Sequence, residues 1–408
     1  MKFPLFVLML IFGITTSMQS QDDKSTKSAK PRKRNARSIE DIKSNPEEYT
    51  SINLSRKKLT SFPTEILQCV FIEEIILSNN EITTIPQEIS NLTKLKKLSI
   101  DGNKLSSLPS SIAKLSELET FNVSGNPITS FPDIKNLKRL RKLYLSETAL
   151  PGIPESVLQL DSLFELHLAK MNLKVLPDLS KMQLLSTINL DENGLTTLPV
   201  TIGKSQSLKS ISASKNAISN VPKEIGELKN LAAILLSGNS INTIPSEIQN
   251  MESLEHLDLS NNRITQLPKE VFNMKKLSTL LLSGNVIKQL PNEISVNTAL
   301  QVLDLSNNGI SQYPASFWKC TGMTKLLLDN NSLTTLPQGI GALTKLALLD
   351  IGNNPLESLP IKEISSLPAL KQIVFMNKKE IDAKRNDSRK PKNEEQKKPD
   401  QMDKKDGK

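Results

Sequence analysis

The feature that most constrains this chain is a repeat of about 23 residues that runs from Ile52 nearly to the carboxyl end. Each unit follows the pattern LxxLxLxxNxLxxLPxxIxxLx, as in LEHLDLSNNRITQLPKEVFNMKK beginning at Leu254. One proline marks each unit, and successive prolines are 23 residues apart except for two gaps of 22. These prolines are Pro63, Pro86, Pro109, Pro132, Pro154, Pro177, Pro199, Pro222, Pro245, Pro268, Pro291, Pro314, Pro337 and Pro360. A period of this length predicts one structural unit copied along the chain.

The residue pattern inside each unit predicts its conformation. The LxLxx segment alternates apolar and polar side chains, which is the period of a strand with one buried face. The proline fixes φ and suits the start of a short helical turn, and the IxxL that follows has helical spacing. Because one unit cannot bury its own apolar face, the units stack. The pattern therefore predicts an α/β solenoid of about 15 strands.

An asparagine follows the strand in most units and is expected to lie inside the stack. A buried amide at this bend can bond backbone groups of adjacent turns that would otherwise lack partners. The asparagines are Asn80, Asn103, Asn126, Asn193, Asn216, Asn239, Asn262, Asn285, Asn308, Asn331 and Asn354. We interpret them as a structural ladder and not as ligands.

The pattern resembles that of leucine-rich repeat proteins over roughly residues 50–378. The 23-residue unit with LPxxIxxL is similar to the class found in Ras-suppressor-type scaffolds and in exported bacterial leucine-rich repeat proteins, spirochaetal ones included. The resemblance implies a horseshoe with a concave parallel β-sheet, short helices on the convex side and a role in protein recognition. It is specific for the fold and says little about the partner.

The amino end predicts a signal peptide over residues 1–20. A positive charge at Lys2 precedes twelve residues of mainly apolar character from Phe3 to Ile14, and small residues follow up to Ser20. The stretch is shorter than the roughly 20 residues that span a bilayer. An uncleaved membrane anchor is the alternative interpretation. A lipoprotein anchor is not expected, because no cysteine lies near the cleavage region. We expect a secreted, periplasmic or cell-surface protein with no transmembrane segment in its mature chain.

The rest of the chain divides by composition. We expect a disordered basic linker over 21–37, an amino-terminal cap helix over 38–50, the solenoid over 51–378 and a disordered charged tail over 379–408. The formal charge of +9 lies at the ends, since 22–37 holds seven basic residues against two acidic and 377–408 holds twelve against eight. The nearly neutral repeat body is therefore not expected to bind nucleic acid.

Outward-facing positions can be assigned because the repeat fixes the register, and one group of them is polar and partly aromatic. This group, called the Tyr144 cluster here, consists of Lys142, Tyr144, Glu165 and His167. The asparagine ladder is interrupted in the same region by Thr148 and Met171. Tyrosine and charged groups on a concave surface are typical of recognition hot spots. Repeat decay is the alternative explanation.

A second outward group alternates leucine with aspartate along the later repeats. This group, called the Leu/Asp strip, consists of Leu235, Asp258, Leu281, Asp304, Leu327 and Asp350. A row of exposed aliphatic side chains favours a protein partner, although scattered exposed leucines are normal on soluble proteins. Both groups are therefore candidate partner-binding residues.

The scarcity of histidine and cysteine argues against an enzyme. His167 and His256 lie four repeats apart, about 19 Å, so they cannot share a metal ion or a proton relay. Cys69 and Cys320 lie eleven repeats apart, about 50 Å, and are expected to fill the core. We expect no cofactor and no metal.

These observations predict an exported, non-enzymatic, monomeric protein that binds a host or envelope protein through its concave face. An intracellular scaffold of the Ras-suppressor type that binds a small GTPase is the alternative. It fits the repeat class equally well but leaves the amino-terminal segment unexplained.

Overall fold

One parallel sheet runs the length of the molecule. The computed structural model describes residues 34–336 and 338–375. Within them, sixteen strands lie side by side in sequence order. The strands are β1 Arg34–Ala36, β2 Tyr49–Asn53, β3 Glu74–Ile76, β4 Lys97–Ser99, β5 Thr120–Asn122, β6 Lys142–Tyr144, β7 Glu165–His167, β8 Thr187–Asn189, β9 Ser210–Ser212, β10 Ala233–Leu235, β11 His256–Asp258, β12 Thr279–Leu281, β13 Val302–Asp304, β14 Lys325–Leu327, β15 Leu348–Asp350 and β16 Gln372–Val374. The open leucine-rich repeat solenoid predicted from the sequence is confirmed, with one strand more than expected.

Strand register follows the repeat from β2 to β16. Leu257 on β11, for example, pairs with Ile234 on β10 and with Leu280 on β12. The middle residue of such a strand points into the core and is buried, while the residues on either side are half-buried on the concave face. The outward positions therefore form continuous rows across the sheet.

Short helical turns form the convex side, and most of them are 3-10 helices. They span Pro46–Glu48, Thr64–Gln68, Gln87–Asn91, Ser110–Lys114, Val200–Lys204, Lys223–Glu227, Ser246–Asn250, Lys269–Asn273, Asn292–Val296, Ala315–Lys319 and Ile340–Ala342. The α-helices are α1 Ile39–Ser44, α2 Glu155–Leu158 and α3 Ile361–Ser365. Pro245 shows the role of the repeated proline, since its extended backbone (φ −67°, ψ 144°) directs the chain into the helical turn that follows. Five residues allow only one or two 3-10 turns, which suits a tightly stacked unit.

The amino end of the solenoid is covered by α1 and by β1. A capping box stabilises the start of α1, because Ser38 Oγ accepts from the Asp41 backbone N–H and Asp41 accepts from the Ser38 N–H. Ile42 on this helix is buried over the first repeat. Hydrogen bonds to the acidic group also lower the pKa of Asp41. This arrangement closes the apolar end of the stack.

Strand β1 differs from the expected organisation, since it falls within the segment 21–37 that was expected to be disordered. It pairs with β2, and Ala36 at its end is fully buried. Backbone pairing to an open sheet edge needs little apolar content, so composition alone does not reveal such a strand. The ordered amino-terminal region therefore begins before residue 38.

The predicted signal peptide 1–20, most of the linker 21–37 and the tail 379–408 lie outside the described residues. Among the residues that the structure describes, no helix is long and apolar enough to cross a membrane.

The asparagines bond adjacent turns together. Asn262 Nδ2 donates to the Leu236 carbonyl at 3.0 Å and to the Leu259 carbonyl at 2.9 Å. Its Oδ1 accepts from the Ile241 N–H at 3.0 Å. One amide thus satisfies backbone groups of two consecutive turns that would otherwise be buried without partners.

The ladder is incomplete between Asn126 and Asn193. The shorter Thr148 side chain donates only within its own turn, to the Leu145 carbonyl at 2.8 Å. Where other units bond across turns to an asparagine, the Ile128 N–H bonds to the Asn126 backbone carbonyl at 2.8 Å. The stack therefore continues through this region with local bonds in place of a bond between turns.

Candidate functional site

The Tyr144 cluster is assembled on the neighbouring strands β6 and β7. In the register of this pair, Lys142 lies opposite Glu165 and Tyr144 lies opposite His167. The Tyr144 and His167 rings stack, with centroids 4.5 Å apart and planes inclined by 15°. Stacking restricts the orientation of both rings, and side chains already held in place lose less entropy when they enter an interface.

Glu165 connects the other members of the cluster. Its Oε1 lies 2.8 Å from Lys142 Nζ, and its Oε2 accepts a hydrogen bond from Tyr144 Oη at 3.1 Å. His167 Nε2 lies 3.8 Å from the same Oε2. The carboxylate is only 21% exposed, so it is partly shielded from water. All four side chains hold one another in a single arrangement on the concave surface.

The electrostatics of the cluster reflect this arrangement. The pKa of Glu165 falls to about 2, mainly through His167, with Lys142 and Tyr144 adding to the effect against the opposing effect of burial. Burial, reinforced by the Glu165 charge, raises the pKa of Tyr144 to about 12. Glu165 is therefore ionised and the tyrosine hydroxyl protonated at neutral pH. Each group is in the form that its neighbours stabilise.

Short side chains flank the stacked rings. Asn122 lies beside Tyr144 on β5, and Asn189 lies beside His167 on β8. Each amide oxygen accepts a hydrogen bond from the backbone N–H two residues on, at 3.1 Å from Ser124 and at 2.9 Å from Asp191. These asparagines are thus held against the sheet, and the two rings are the largest side chains in this part of the row.

A shallow cavity lies at the break in the ladder, where Thr148 is one of its lining residues. Its volume is about 470 Å³. It is lined by Gly125, Asn126, Pro127, Glu147, Thr148, Ala149 and Lys170. Glu147 and Lys170 form an ion pair at 2.9 Å across two turns. None of the four residues of the Tyr144 cluster lines this cavity.

The Leu/Asp strip runs along the middle row from β10 to β15, with leucine and aspartate on alternate strands. Each aspartate uses Oδ1 to accept from the backbone N–H two residues on. Asp258 does so at 2.9 Å, and Asp304 and Asp350 at 3.0 Å. This role was not predicted from the sequence. Asn122 and Asn189 occupy the same row and make the same bond, and that shared position was the available signal.

Carboxylates in the strip also affect one another. Partial burial raises the pKa of Asp350, and the nearby charge of Asp304 adds to the increase. The same causes act on Asp329 in the adjacent row, where Asp350 is the main repelling charge. In contrast with Glu165, these groups are less easily ionised than usual because the surface disfavours further negative charge.

The remaining chemically reactive residues are not brought together. Four strand spacings separate His167 on β7 from His256 on β11, and burial lowers the pKa of His256. Cys69 and Cys320 are both buried and unbonded to each other, and desolvation raises each thiol pKa to about 11. The described residues contain no group of three or more His, Cys, Asp or Glu side chains that could hold a metal ion.

Comparison with known proteins agrees with the architecture. Residues 49–105, 72–128, 206–264 and 252–310 match the family model for the leucine-rich repeat. A leucine-rich repeat protein of Leptospira interrogans is 29% identical, with a TM-score of 0.70, and the match covers 84% of this chain and 100% of that chain. An internalin of Listeria monocytogenes is 26% identical, with a TM-score of 0.67, over 77% of this chain and 88% of that chain.

Similar repeats also occur in a plant receptor of larger size. The plant peptide hormone receptor RGFR1, solved in complex with RGF2, is 27% identical with a TM-score of 0.67. That match covers 84% of this chain and 61% of the receptor chain. Among curated proteins, none matches the sequence. The matched repeats and the sixteen-stranded sheet show that the chain contains leucine-rich repeats and has the open leucine-rich repeat solenoid fold, which is the architecture of a protein-interaction scaffold.

Proposed function

We propose that this scaffold is exported and binds a host or envelope protein through its concave face, with the Tyr144 cluster at the centre of the contact. The observation that carries the proposal is the stacked Tyr144–His167 pair held by Glu165. Partly buried aromatic groups in a fixed arrangement are the side chains that most often dominate protein–protein binding energy. The apolar segment Phe3–Ile14 and the similarity to Leptospira and Listeria proteins support export.

The proposed role is binding and not catalysis. In the cluster, Glu165 is fully ionised well below neutral pH and the Tyr144 hydroxyl stays protonated well above it. Neither group is suited to exchange protons near pH 7, where a general acid or base works best. The intracellular alternative, a scaffold for a small GTPase, is supported only by the repeat class. The experiment below therefore includes small GTPases among the proteins that are tested for capture.

A capture experiment with the full-length protein tests the proposal. The wild type is compared with a variant carrying Lys142→Ala, Tyr144→Ala, Glu165→Ala and His167→Ala, against panels of extracellular host proteins, bacterial envelope proteins and small GTPases. The matched control is Asn53→Ala with Ser212→Ala, an outward-facing pair on the same sheet. We expect a host or envelope protein that the wild type and the control capture and the cluster variant loses.

Circular dichroism and melting must first show that all three proteins are folded. Capture that is equal for the wild type and the cluster variant would remove the cluster from the contact. A small GTPase as the specific partner would contradict the proposed class of target. Retention of the uncleaved segment 1–20 after expression in a secreting host would contradict export by signal cleavage.

A further inference from the structure

The outward face of β10–β16 carries more carboxylates than lysines among the described residues. Its carboxylates are Asp258, Asp304, Asp329 and Asp350, and Lys325 is the lysine among the same outward positions. Leucines lie between the carboxylates in the middle row, and mutual repulsion contributes to the raised pKa of Asp350. A surface of this kind favours an occupant with cationic ends and apolar stems.

The spacing of the carboxylates restricts the conformation of that occupant. Asp258, Asp304 and Asp350 lie on β11, β13 and β15, so they recur at two strand spacings, about 9.6 Å. An α-helix laid across the strands presents one face again after seven residues, about 10.5 Å. A polyproline II segment does so after three residues, about 9.3 Å. An extended segment with a cation at every third residue therefore fits best.

The chain itself contains such a segment, in the amino-terminal region that precedes the repeats. The sequence KSTKSAKPRK places lysines at every third position, and these are Lys24, Lys27, Lys30 and Lys33. Pro31 favours an extended backbone around it, and the intervening serine, threonine and alanine residues are small. In place of the monomer expected from the sequence, we propose that residues 24–33 of one molecule bind across the Leu/Asp strip of a second copy of this chain.

Residues 24–33 are too short to reach the Leu/Asp strip of their own molecule, so the strip must belong to a second copy. Ten strand spacings separate β1, where the segment joins the fold, from β11, which is a distance of about 48 Å along the sheet. Ten fully extended residues span at most about 36 Å. The contact therefore joins the amino end of one molecule to the carboxyl half of the next, which is a head-to-tail arrangement.

The geometry of the aspartates is compatible with this contact. Each uses Oδ1 for the backbone bond to residue 260, 306 or 352, and a carboxylate accepts through both of its oxygens. An ammonium group can thus bind without displacing the turn. The aliphatic part of each lysine would pack on Leu281 and Leu327 between the carboxylates. The carboxylates and the leucines of the strip would then both contact the bound segment.

A labelled peptide of residues 24–33, titrated with the full-length protein and followed by fluorescence anisotropy at low salt, tests the contact. The control peptide has the same composition but places its lysines next to one another. We expect the natural order to bind at least fivefold more tightly. Asp304→Asn with Asp350→Asn should weaken its binding at least tenfold, whereas Tyr144→Ala with His167→Ala should leave it unchanged. Equal binding of both peptides, or no effect of the aspartate changes, would overturn the proposal.

Sedimentation velocity of the full-length protein tests whether a second copy is the natural occupant. We expect reversible, salt-sensitive association of the wild type that is lost in a Lys27→Glu, Lys30→Glu variant. A wild type that remains monomeric at every concentration would contradict the proposal even if the peptide binds. Because the Tyr144 cluster is not involved, this proposal and the proposed function can fail independently.

Discussion

The Tyr144 cluster and the Leu/Asp strip lie on the same concave sheet, but their surroundings shift the pKa of a carboxyl group in opposite directions. In the cluster, one carboxylate is surrounded by Lys142, Tyr144 and His167, and its pKa falls to about 2. In the strip, partial burial raises the pKa of Asp350 and the charge of Asp304 adds to the increase, against the opposing effect of the hydrogen bond from the Gly352 N–H. In the cluster, the carboxylate of Glu165 already has partners among the neighbouring side chains, which hold one another in place. Among the outward positions that the structure describes on β10–β16, carboxylates outnumber lysines, so the two regions differ in charge.

The backbone beneath the two regions differs as well. Below the strip the asparagine ladder is continuous, while below the cluster Thr148 and Met171 replace two of its members. The register of the sheet passes through the break unchanged, because inward residues such as Leu143 and Leu166 remain fully buried and paired. Apolar stacking holds the strands in place, and the ladder adds hydrogen bonds to it.

The largest effect should come from the buried residues on which both surfaces depend. Leu259→Ala removes a fully buried side chain beneath the strip and should lower the free energy of unfolding by about 2–5 kcal/mol. Ser260→Ala, one residue further on, is the control: Ser260 lies in the outward row but is only 7% exposed, and its change removes a hydroxyl and no apolar group. Urea denaturation measures both. Similar midpoints for the two variants would show that the register of the outward rows is wrong.

The next effect separates the continuous ladder from the interrupted one. Asn262→Ala leaves the Leu236 and Leu259 carbonyls and the Ile241 N–H without the asparagine, and should destabilise by about 2–3 kcal/mol. Thr148→Ala removes one bond within a turn and should cost about 1 kcal/mol. Thermal melting of both variants makes the comparison. Equal losses would mean that Thr148 does as much for the stack as an asparagine.

Removing the charge of Glu165 should cost stability. Glu165→Gln should lower the free energy of unfolding by about 1–2 kcal/mol at pH 7, because bonds to an ionised acceptor are lost. Since the pKa falls from 4.5 to about 2 on folding, this contribution is complete above pH 4.5 and disappears as the pH falls through 2. The difference between wild type and variant should therefore shrink over that range in urea titrations. A constant difference would mean that Glu165 is not held by its charge.

Removing the charge of Asp350 should have the opposite sign. The pKa of Asp350 is raised on folding, so its ionised form opposes folding at neutral pH and the opposition is relieved as the pH falls. Asp350→Asn keeps an oxygen to accept from Gly352 and should raise stability by a few tenths of a kcal/mol. Urea midpoints at pH 7, measured beside Glu165→Gln, test the sign. A loss of stability in both variants would remove the contrast between the two regions.

The sequence was sufficient for the solenoid and for the outward rows, because a repeat with a fixed period specifies strand register directly. It placed Tyr144 next to His167 and Lys142 next to Glu165, and it separated His167 from His256. Period and spacing give neighbours in this way, but they do not give side-chain rotamers. The ring stacking and the convergence of three side chains on Glu165 therefore required the structure.

Two other features were missed for different physical reasons. Strand β1 depends on pairing with β2, and a strand of three residues with one buried alanine leaves no periodic pattern in the sequence. The aspartates of the strip were interpreted only as an exposed charged surface, although their bond to the backbone two residues on is local. Asparagine at the same row position in earlier repeats indicates that role, since both side chains can accept this bond.

The most direct test of the account is the affinity of the captured partner for two variants that differ only in which concave region they change. Tyr144→Ala with His167→Ala should weaken binding at least tenfold, about 1.4 kcal/mol, with the fold intact. Asp304→Asn with Asp350→Asn should change the affinity less than twofold. The opposite ranking, or an equal loss in both, would contradict the assignment of partner recognition to the Tyr144 cluster.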